Sequence, residues 1–221
     1  MTAETLINPN IPALQTTDTV ARALHQMEEI GIMYLPVIDN DTFVGIVSED
    51  GLFNVPNPNI KLSALELEGQ RAFVFQQQHY YDLLRTSAQY KSRVVAVVDK
   101  EEHYLGCATT MDLVAHLSAG YSMQQNGGVL VLSLYERDYS LAEISRLVES
   151  NNAKVLNATV DTDEDDMAKI RVTLKINQPD LSRVIATLER FGYIIAEQYH
   201  QSQMPDLDSE RLDLLFRFLN I

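Results

Sequence analysis

What this chain of 221 residues has little of narrows its function first. Cys107 is its one cysteine, so neither an internal disulfide nor a thiolate zinc cluster can form, and a reducing compartment is expected. Basic residues are scarce: 17 Lys and Arg stand against 31 Asp and Glu, for a formal net charge of -14. No basic run interrupts that balance, which argues against nucleic acid as a partner, because backbone phosphates need a Lys/Arg surface. No apolar run reaches the roughly 18 residues of a membrane span, and no signal peptide is recognisable. A soluble, cytoplasmic protein without a membrane partner is therefore expected. Catalytic signatures are missing too, with neither Gly-x-Ser-x-Gly nor a Gly-rich phosphate loop carrying a lysine. The histidines (His25, His79, His103, His116 and His200) lie apart without metal-ligand spacing, so neither an enzyme nor a metal site is expected. What is present is ordinary for a globular protein: 46% hydrophobic and 22% charged residues exclude general disorder, and the length suits two domains.

Along the chain, residues 1–16 are polar and punctuated by Pro9 and Pro12, which favours an extended start. Thr17-Asp18-Thr19 offers helix caps before Val20, Ala23, Leu24, Met27 and Ile30, an apolar stripe at helical spacing that stops at Gly31. Tyr34 to Ile38 reads as a strand, Asp39-Asn40-Asp41 as a turn and Phe43 to Val47 as the returning strand. About sixty residues later the order recurs in more degraded form. Tyr80, Leu83, Leu84 and Ala88 stand for the helix stripe, Val94 to Asp99 for the strand, Gly106 for Gly45 and Leu113 for Leu52. A half of about sixty residues buries too little surface alone, so the copies are expected to pack as one pseudo-symmetric unit.

The stretch Gly106-Cys107-Ala108-Thr109-Thr110-Met111-Asp112 leaves an apolar run and opens a periodic segment. A glycine ending a strand admits a ligand to the backbone, and a hydroxyl at a helix start sits beside unpaired N–H groups where anions bind. The other reading is structural: Thr109 caps the helix and Asp112 favours its positive end. Both readings stand on the local sequence. Cys107, beside a helix start but with no histidine or second cysteine near it in sequence, is read as a buried small apolar residue.

The twofold pattern of helix, strand, hairpin and Gly-x-x-Ser/Thr resembles a tandem pair of cystathionine-β-synthase (CBS) domains, a Bateman module. That family's motif, Gly-h-x-Thr/Ser-x-x-Asp with h apolar, binds adenine nucleotides, the hydroxyl meeting phosphate and the aspartate holding ribose. Gly106, Thr109 and Asp112 match it position by position. Gly45 and Ser48 match as well, but Gly51 stands where the aspartate belongs, with Asp50 one place early. One residue is about 100° around a helix, so the first copy is the weaker site, composed of Gly45, Ser48, Asp50 and Tyr34. Adenylate-binding members often carry basic residues just before the strand. The second copy has Lys91 and Arg93 there, the first Gly31 and Met33. The resemblance thus gives Thr109 and Arg93, with Lys91, the phosphate, Asp112 the ribose, and the backbone near Phe73 or Val94 the base. The implied ligand is AMP, ADP, ATP or S-adenosylmethionine, with no cofactor required. The alternative for Arg93 is a pairing with a surface carboxylate.

After Leu117 the composition changes, and 121–128 reads as a linker. Val129 to Leu134, Leu141 to Val148, Val155 to Val160, Ile170 to Ile176, a helix capped by Asp180 and ending at Gly192, and Tyr193 to Ala196 give a ferredoxin-like βαββαβ order. Following tandem CBS repeats, this resembles an ACT domain, a fold that often binds amino acids and often dimerises. Its motif Asp-x-Pro-Gly-x-Leu is replaced by Glu136, Asp138 and Tyr139 before Leu141, and a tyrosine ring fills space that glycine leaves to a ligand. Asp161, Asp163, Asp165 and Asp166 lack the glycine and glutamate of a calcium loop and read as a solvated hairpin tip. Beyond Pro205, Leu212, Leu215, Phe216 and Leu219 share a helical face.

The fold class expected is thus α/β (α+β): a first CBS-like repeat at 1–60, a second at 61–120, the linker, an ACT-like domain at 129–203 and an amphipathic tail at 204–221. The order CBS, CBS, ACT resembles the bacterial acetoin-utilisation regulatory protein family. It implies a non-catalytic regulatory module, homodimeric, that senses an adenine nucleotide or adenosyl ligand and relays this to an unidentified partner or oligomer interface. The alternatives are an oligomerisation scaffold with decayed nucleotide sites and amino-acid sensing by the ACT-like domain.

Overall fold

The computed structural model describes residues 1–199; the amphipathic tail and His200 lie outside them. The chain divides into two compact units, the first spanning Met1–Ala119 and the second beginning at Gly120.

The first unit contains one βαββα pattern twice. Strand β1 (Leu14–Gln15), helix α1 (Val20–Ile30), strands β2 (Tyr34–Asp39) and β3 (Thr42–Ser48) and helix α2 (Glu49–Phe53) form the first repeat. Strand β4 (Phe73–Phe75), helix α3 (Tyr80–Tyr90), strands β5 (Val94–Val98) and β6 (Tyr104–Thr109) and helix α4 (Thr110–Ser118) form the second. In both sheets the short first strand runs parallel to the central one, which pairs antiparallel with the third. Local chemistry sets the ends of α1. Thr19 Oγ1 accepts the Arg22 N–H at 3.3 Å, and Gly31 closes the helix at φ 67°. Its counterpart α3 ends on Lys91, held at φ 50° in the same left-handed region without glycine's freedom.

The expected pseudo-symmetric packing is present. One buried core combines Leu14, Met27, Leu35 and Val37 of the first repeat with Val94, Ala96, Val98 and Cys107 of the second. Phe43 stacks on Tyr104 across it, with ring centroids 6.4 Å apart. The chain also crosses between repeats. Asn8 donates its N–H to the Cys107 carbonyl at 2.8 Å, so residues before the first repeat dress the second. Residues after the first repeat fold back onto it, with Leu62 N–H on the Asp18 carbonyl at 2.9 Å and Glu68 bonded both ways to Ile46 at 2.8 and 3.0 Å.

These crossing segments correct the reading of the motif glycines. Neither glycine ends its strand, since β3 and β6 continue beyond them to Ser48 and Thr109. Both take φ 155°. A Cβ on Gly106 would stand 2.4 Å from Ile7 Cγ2, and one on Gly45 would stand 2.7 Å from Leu67 Cβ. The space is therefore filled by the chain's own side chains rather than left to a ligand.

The second unit opens with the short helix α5 (Tyr121–Gln124), inside the segment read as linker. Strand β7 (Gly128–Tyr135), helix α6 (Leu141–Glu149), strands β8 (Val155–Thr162) and β9 (Lys169–Ile176), helix α7 (Ser182–Arg190) and strand β10 (Ile194–Tyr199) follow. The sheet order is β10-β7-β9-β8, the ferredoxin-like arrangement. Its core places Leu130, Leu132, Val172 and Leu174 of the sheet against Ile144, Leu147, Val184 and Leu188 of the helices. Asp180 serves α7 from one position earlier than a usual cap. Its Oδ1 accepts the Ser182 N–H at 3.0 Å, while Leu181 occupies the cap position with no side-chain bond.

Candidate functional site

In the second repeat, β6 runs directly into α4, and the junction forms a capping box. Asp112 N–H donates to Thr109 Oγ1 at 3.0 Å, and Asp112 Oδ2 accepts the Thr109 N–H at 2.8 Å and the Thr109 hydroxyl at 2.6 Å. Asp112 Oδ1 accepts from Asn8 Nδ2 at 3.0 Å. The structural reading of Thr109 and Asp112 therefore holds. It does not exhaust the carboxylate, because an ionised carboxyl offers about four acceptor positions and Oδ1 has only one of its own taken.

A cavity of about 470 Å³ opens beside this junction, lined by Thr109, Asp112, Arg93, Val94, Tyr34 and Asn8 among others. Of the residues read from the sequence as the nucleotide site, Thr109, Asp112, Arg93 and Val94 come together here. Lys91, Gly106 and Phe73 do not line it. Lys91 closes α3, Gly106 is covered by Ile7, and Phe73 packs edge-on against Phe43 at 6.3 Å. Tyr34 was assigned to the first copy's site, yet it lines this one, with the Arg93 guanidinium 5.5 Å from its ring centroid. Among the described residues Arg93 makes no ion pair, so the carboxylate pairing considered for it is not made. Asn8 escaped the sequence reading because it lies far from the motif in the chain. The repeat itself carries the signal, since Glu68 occupies the corresponding place before the second copy.

The first repeat offers less room. Ser48 caps α2 by accepting the Gly51 N–H at 3.2 Å, and its hydroxyl donates to Glu68 Oε1 at 2.9 Å. Beside it lies a cavity of about 140 Å³ lined by Ser48, Gly51, Val55, Leu65, Glu66 and Glu68 among others. Asp50 and Gly45 do not line it.

Other chemistry-bearing groups are engaged structurally. Cys107 is fully buried, and burial pushes its thiol up to about 11, so it is not a nucleophile at neutral pH. Asp99, Glu101 and His103 bring potential metal-ligand atoms within 4.8 Å of one another, a grouping the scattered histidines did not suggest. Asp99 is already bracing its hairpin, with Oδ1 accepting the N–H groups of Glu101 and His103 and Oδ2 meeting His103 Nδ1 at 2.9 Å. In the second unit, Tyr139 packs partly buried against the core. Near it a cavity of about 540 Å³ is lined by Tyr135, Asp138, Glu143, Lys169 and Tyr193 among others. Burial, and then Glu143, raise the Tyr193 phenol above its usual range.

Two βαββα repeats followed by a βαββαβ unit define a multidomain protein of mixed α/β class. Residues 3–56 match the CBS domain family and residues 129–196 the ACT domain family. The chain therefore carries a CBS pair followed by an ACT-like domain. Domains of both families are regulatory ligand-sensing modules rather than catalytic ones. Solved structures similar to it include a CBS domain pair/ACT domain protein from Thermotoga maritima, 20% identical, covering 53% of this chain and 96% of that one, with a TM-score of 0.48. The CBS domains of a transcriptional regulator from Streptococcus pneumoniae are 21% identical over 52% of this chain and 98% of that one, with a TM-score of 0.47. Neither likeness carries a residue's role to this chain. No curated protein matches it significantly. Among the described residues, no helix is long and apolar enough to cross a membrane.

Proposed function

We propose that the chain is a regulatory module whose second CBS repeat senses an adenine nucleotide or a related adenosyl ligand and relays occupancy to a protein partner or to a homodimer interface. The observation that carries this reading is the meeting of Arg93, free of ion pairs among the described residues, with Thr109 and Asp112 around one 470 Å³ cavity. Arginine's planar fork suits phosphate, and a carboxylate with acceptor capacity to spare suits the hydroxyls of a ribose. Tyr34 and Val94 supply flat and apolar surface for a base. AMP, ADP, ATP and S-adenosylmethionine are the candidates, and the ligand shifts the module only by its difference in affinity between two states.

Thermal melting and titration calorimetry test this. A ligand at 100 times its dissociation constant should stabilise the protein by about 2.7 kcal/mol. Arg93→Gln is expected to weaken AMP about tenfold while leaving adenosine unchanged, and Asp112→Ala to abolish the AMP response. The reading fails if no adenine compound raises Tm at millimolar concentration, or if Asp112→Ala responds like the parent. Either result would leave the oligomerisation scaffold standing. A second reading, amino-acid sensing by the ACT-like domain, is favoured by the 540 Å³ cavity, where Lys169 and the carboxylates of Asp138 and Glu143 present charges of both signs. A melting shift with a free amino acid that survives Asp112→Ala would support it.

A further inference from the structure

The two repeats carry the same parts in exchanged places. Asn8 and Glu68 are equivalent: the residues before them, Ile7 and Leu67, cover Gly106 and Gly45. Each is tied by its backbone to the residue after that glycine, Asn8 to Cys107 and Glu68 to Ile46. In the second repeat the acid is on the helix, as Asp112, and the amide is on the crossing segment, as Asn8. In the first repeat the helix position is Gly51, and the acid is on the crossing segment. Glu68 Oε1 takes the Ser48 hydroxyl at 2.9 Å, as Asp112 Oδ2 takes that of Thr109 at 2.6 Å. A Cβ on Gly51 would stand 2.9 Å from Ser48 Oγ and 3.4 Å from Glu68 Oε1. The glutamate therefore occupies the room of the aspartate that the motif lacks.

We propose that Glu68 is the diol-holding carboxylate of the first repeat, and that this repeat takes the sugar of an uncharged nucleoside rather than a nucleotide. The inference rests on the reading that the CBS pair binds adenosyl ligands. Glu68 arrives on backbone bonded to β3, so its carboxylate is positioned by the ladder and not by a free loop. One oxygen holds Ser48, and among the described residues the other accepts no hydrogen bond, which leaves it for a sugar hydroxyl. No Lys or Arg lines this cavity, and Glu66 adds a second negative charge beside Glu68, so no cation offsets the repulsion that a phosphate meets there. At about 140 Å³ the cavity is also smaller than the ~300 Å³ at which sites for whole drug-sized ligands begin. It has room for the sugar, with the base at the mouth.

Titration calorimetry of the full chain with adenosine and with AMP separates the repeats. Adenosine is expected at both, AMP at the second alone. Glu68→Gln keeps an acceptor for Ser48 and should weaken adenosine at the first repeat at least tenfold, with AMP binding and Tm unchanged. Asp50→Asn, at a residue that does not line this cavity, should leave adenosine within threefold of the parent. In Asp112→Asn the adenosine site that remains should be lost on adding Glu68→Gln. A single adenosine site in the parent, or adenosine binding indifferent to Glu68→Gln, overturns the proposal. Failure of AMP to bind while a Glu68-dependent adenosine site persists overturns the nucleotide reading of the second repeat and sustains this one.

Discussion

In the second repeat the motif hydroxyl donates its hydrogen bond to an acid on its own helix, Thr109 to Asp112. In the first, Ser48 donates to Glu68, which arrives from the segment between the repeats. The contrast shows that a βαββα frame fixes where a carboxylate is wanted without fixing which part of the chain supplies it. It also separates scaffold from chemistry. Gly45 and Gly106, Ser48 and Thr109, and Leu52 and Leu113 keep the same roles in both halves: filled glycine, helix cap and buried helix anchor. The cavities they border differ in size and charge, about 470 Å³ with Arg93 against about 140 Å³ with Glu66 and Glu68.

The largest effect expected of a test of this comparison is on the glycines. Gly106→Ala forces a Cβ to within 2.4 Å of Ile7 Cγ2 and should cost about 1–3 kcal/mol by overpacking. The double variant Gly106→Ala/Ile7→Ala removes the opposing methyl and should recover part of that loss in chemical denaturation. Gly45→Ala offers no such rescue, because its Cβ would also stand 2.9 Å from the Glu68 backbone carbonyl. Equal rescue in both repeats would show that the crossing segments are not what the glycines accommodate.

A smaller effect concerns the ends of α1 and α3. Lys91 holds the left-handed position that glycine holds at Gly31. Lys91→Gly should therefore stabilise the second repeat by up to about 1 kcal/mol, read as a rise in Tm. Because Lys91 does not line the cavity, the same variant should leave AMP affinity within about twofold. A marked loss of affinity would return Lys91 to the site.

The smallest effect is at the hairpin that lengthens the second repeat. The Asp99 carboxylate bonded to His103 raises the imidazole above its usual range. A raised folded-state value stabilises fully below the unfolded value near 6.5 and is lost as pH rises through the raised value. Asp99→Asn should lower the His103 titration midpoint measured by NMR and flatten that pH dependence. The first repeat, whose turn passes through Asn40 at φ 53°, has no counterpart to this pair.

Periodicity and turn chemistry made most of the fold legible in the sequence. The Val20 to Ile30 stripe ending at Gly31, the alternating strands and the recurrence about sixty residues on each follow from local geometry, in which side-chain spacing reports which face is buried. The cap at Thr109 was likewise readable, because its partner Asp112 lies three residues on, and the burial of Cys107 followed from its place in an apolar strand. Only the tertiary structure decided that Ile7 and Leu67 fill the glycine spaces, that Tyr34 of the first repeat lines the second repeat's cavity, and that Asn8 and Glu68 complete the two junctions. Those contacts join residues far apart in the chain, and no local pattern encodes which crossing segment closes over which strand. The sequence thus determined the repeat and its motif, while packing between the repeats determined which side chains stand together around each site.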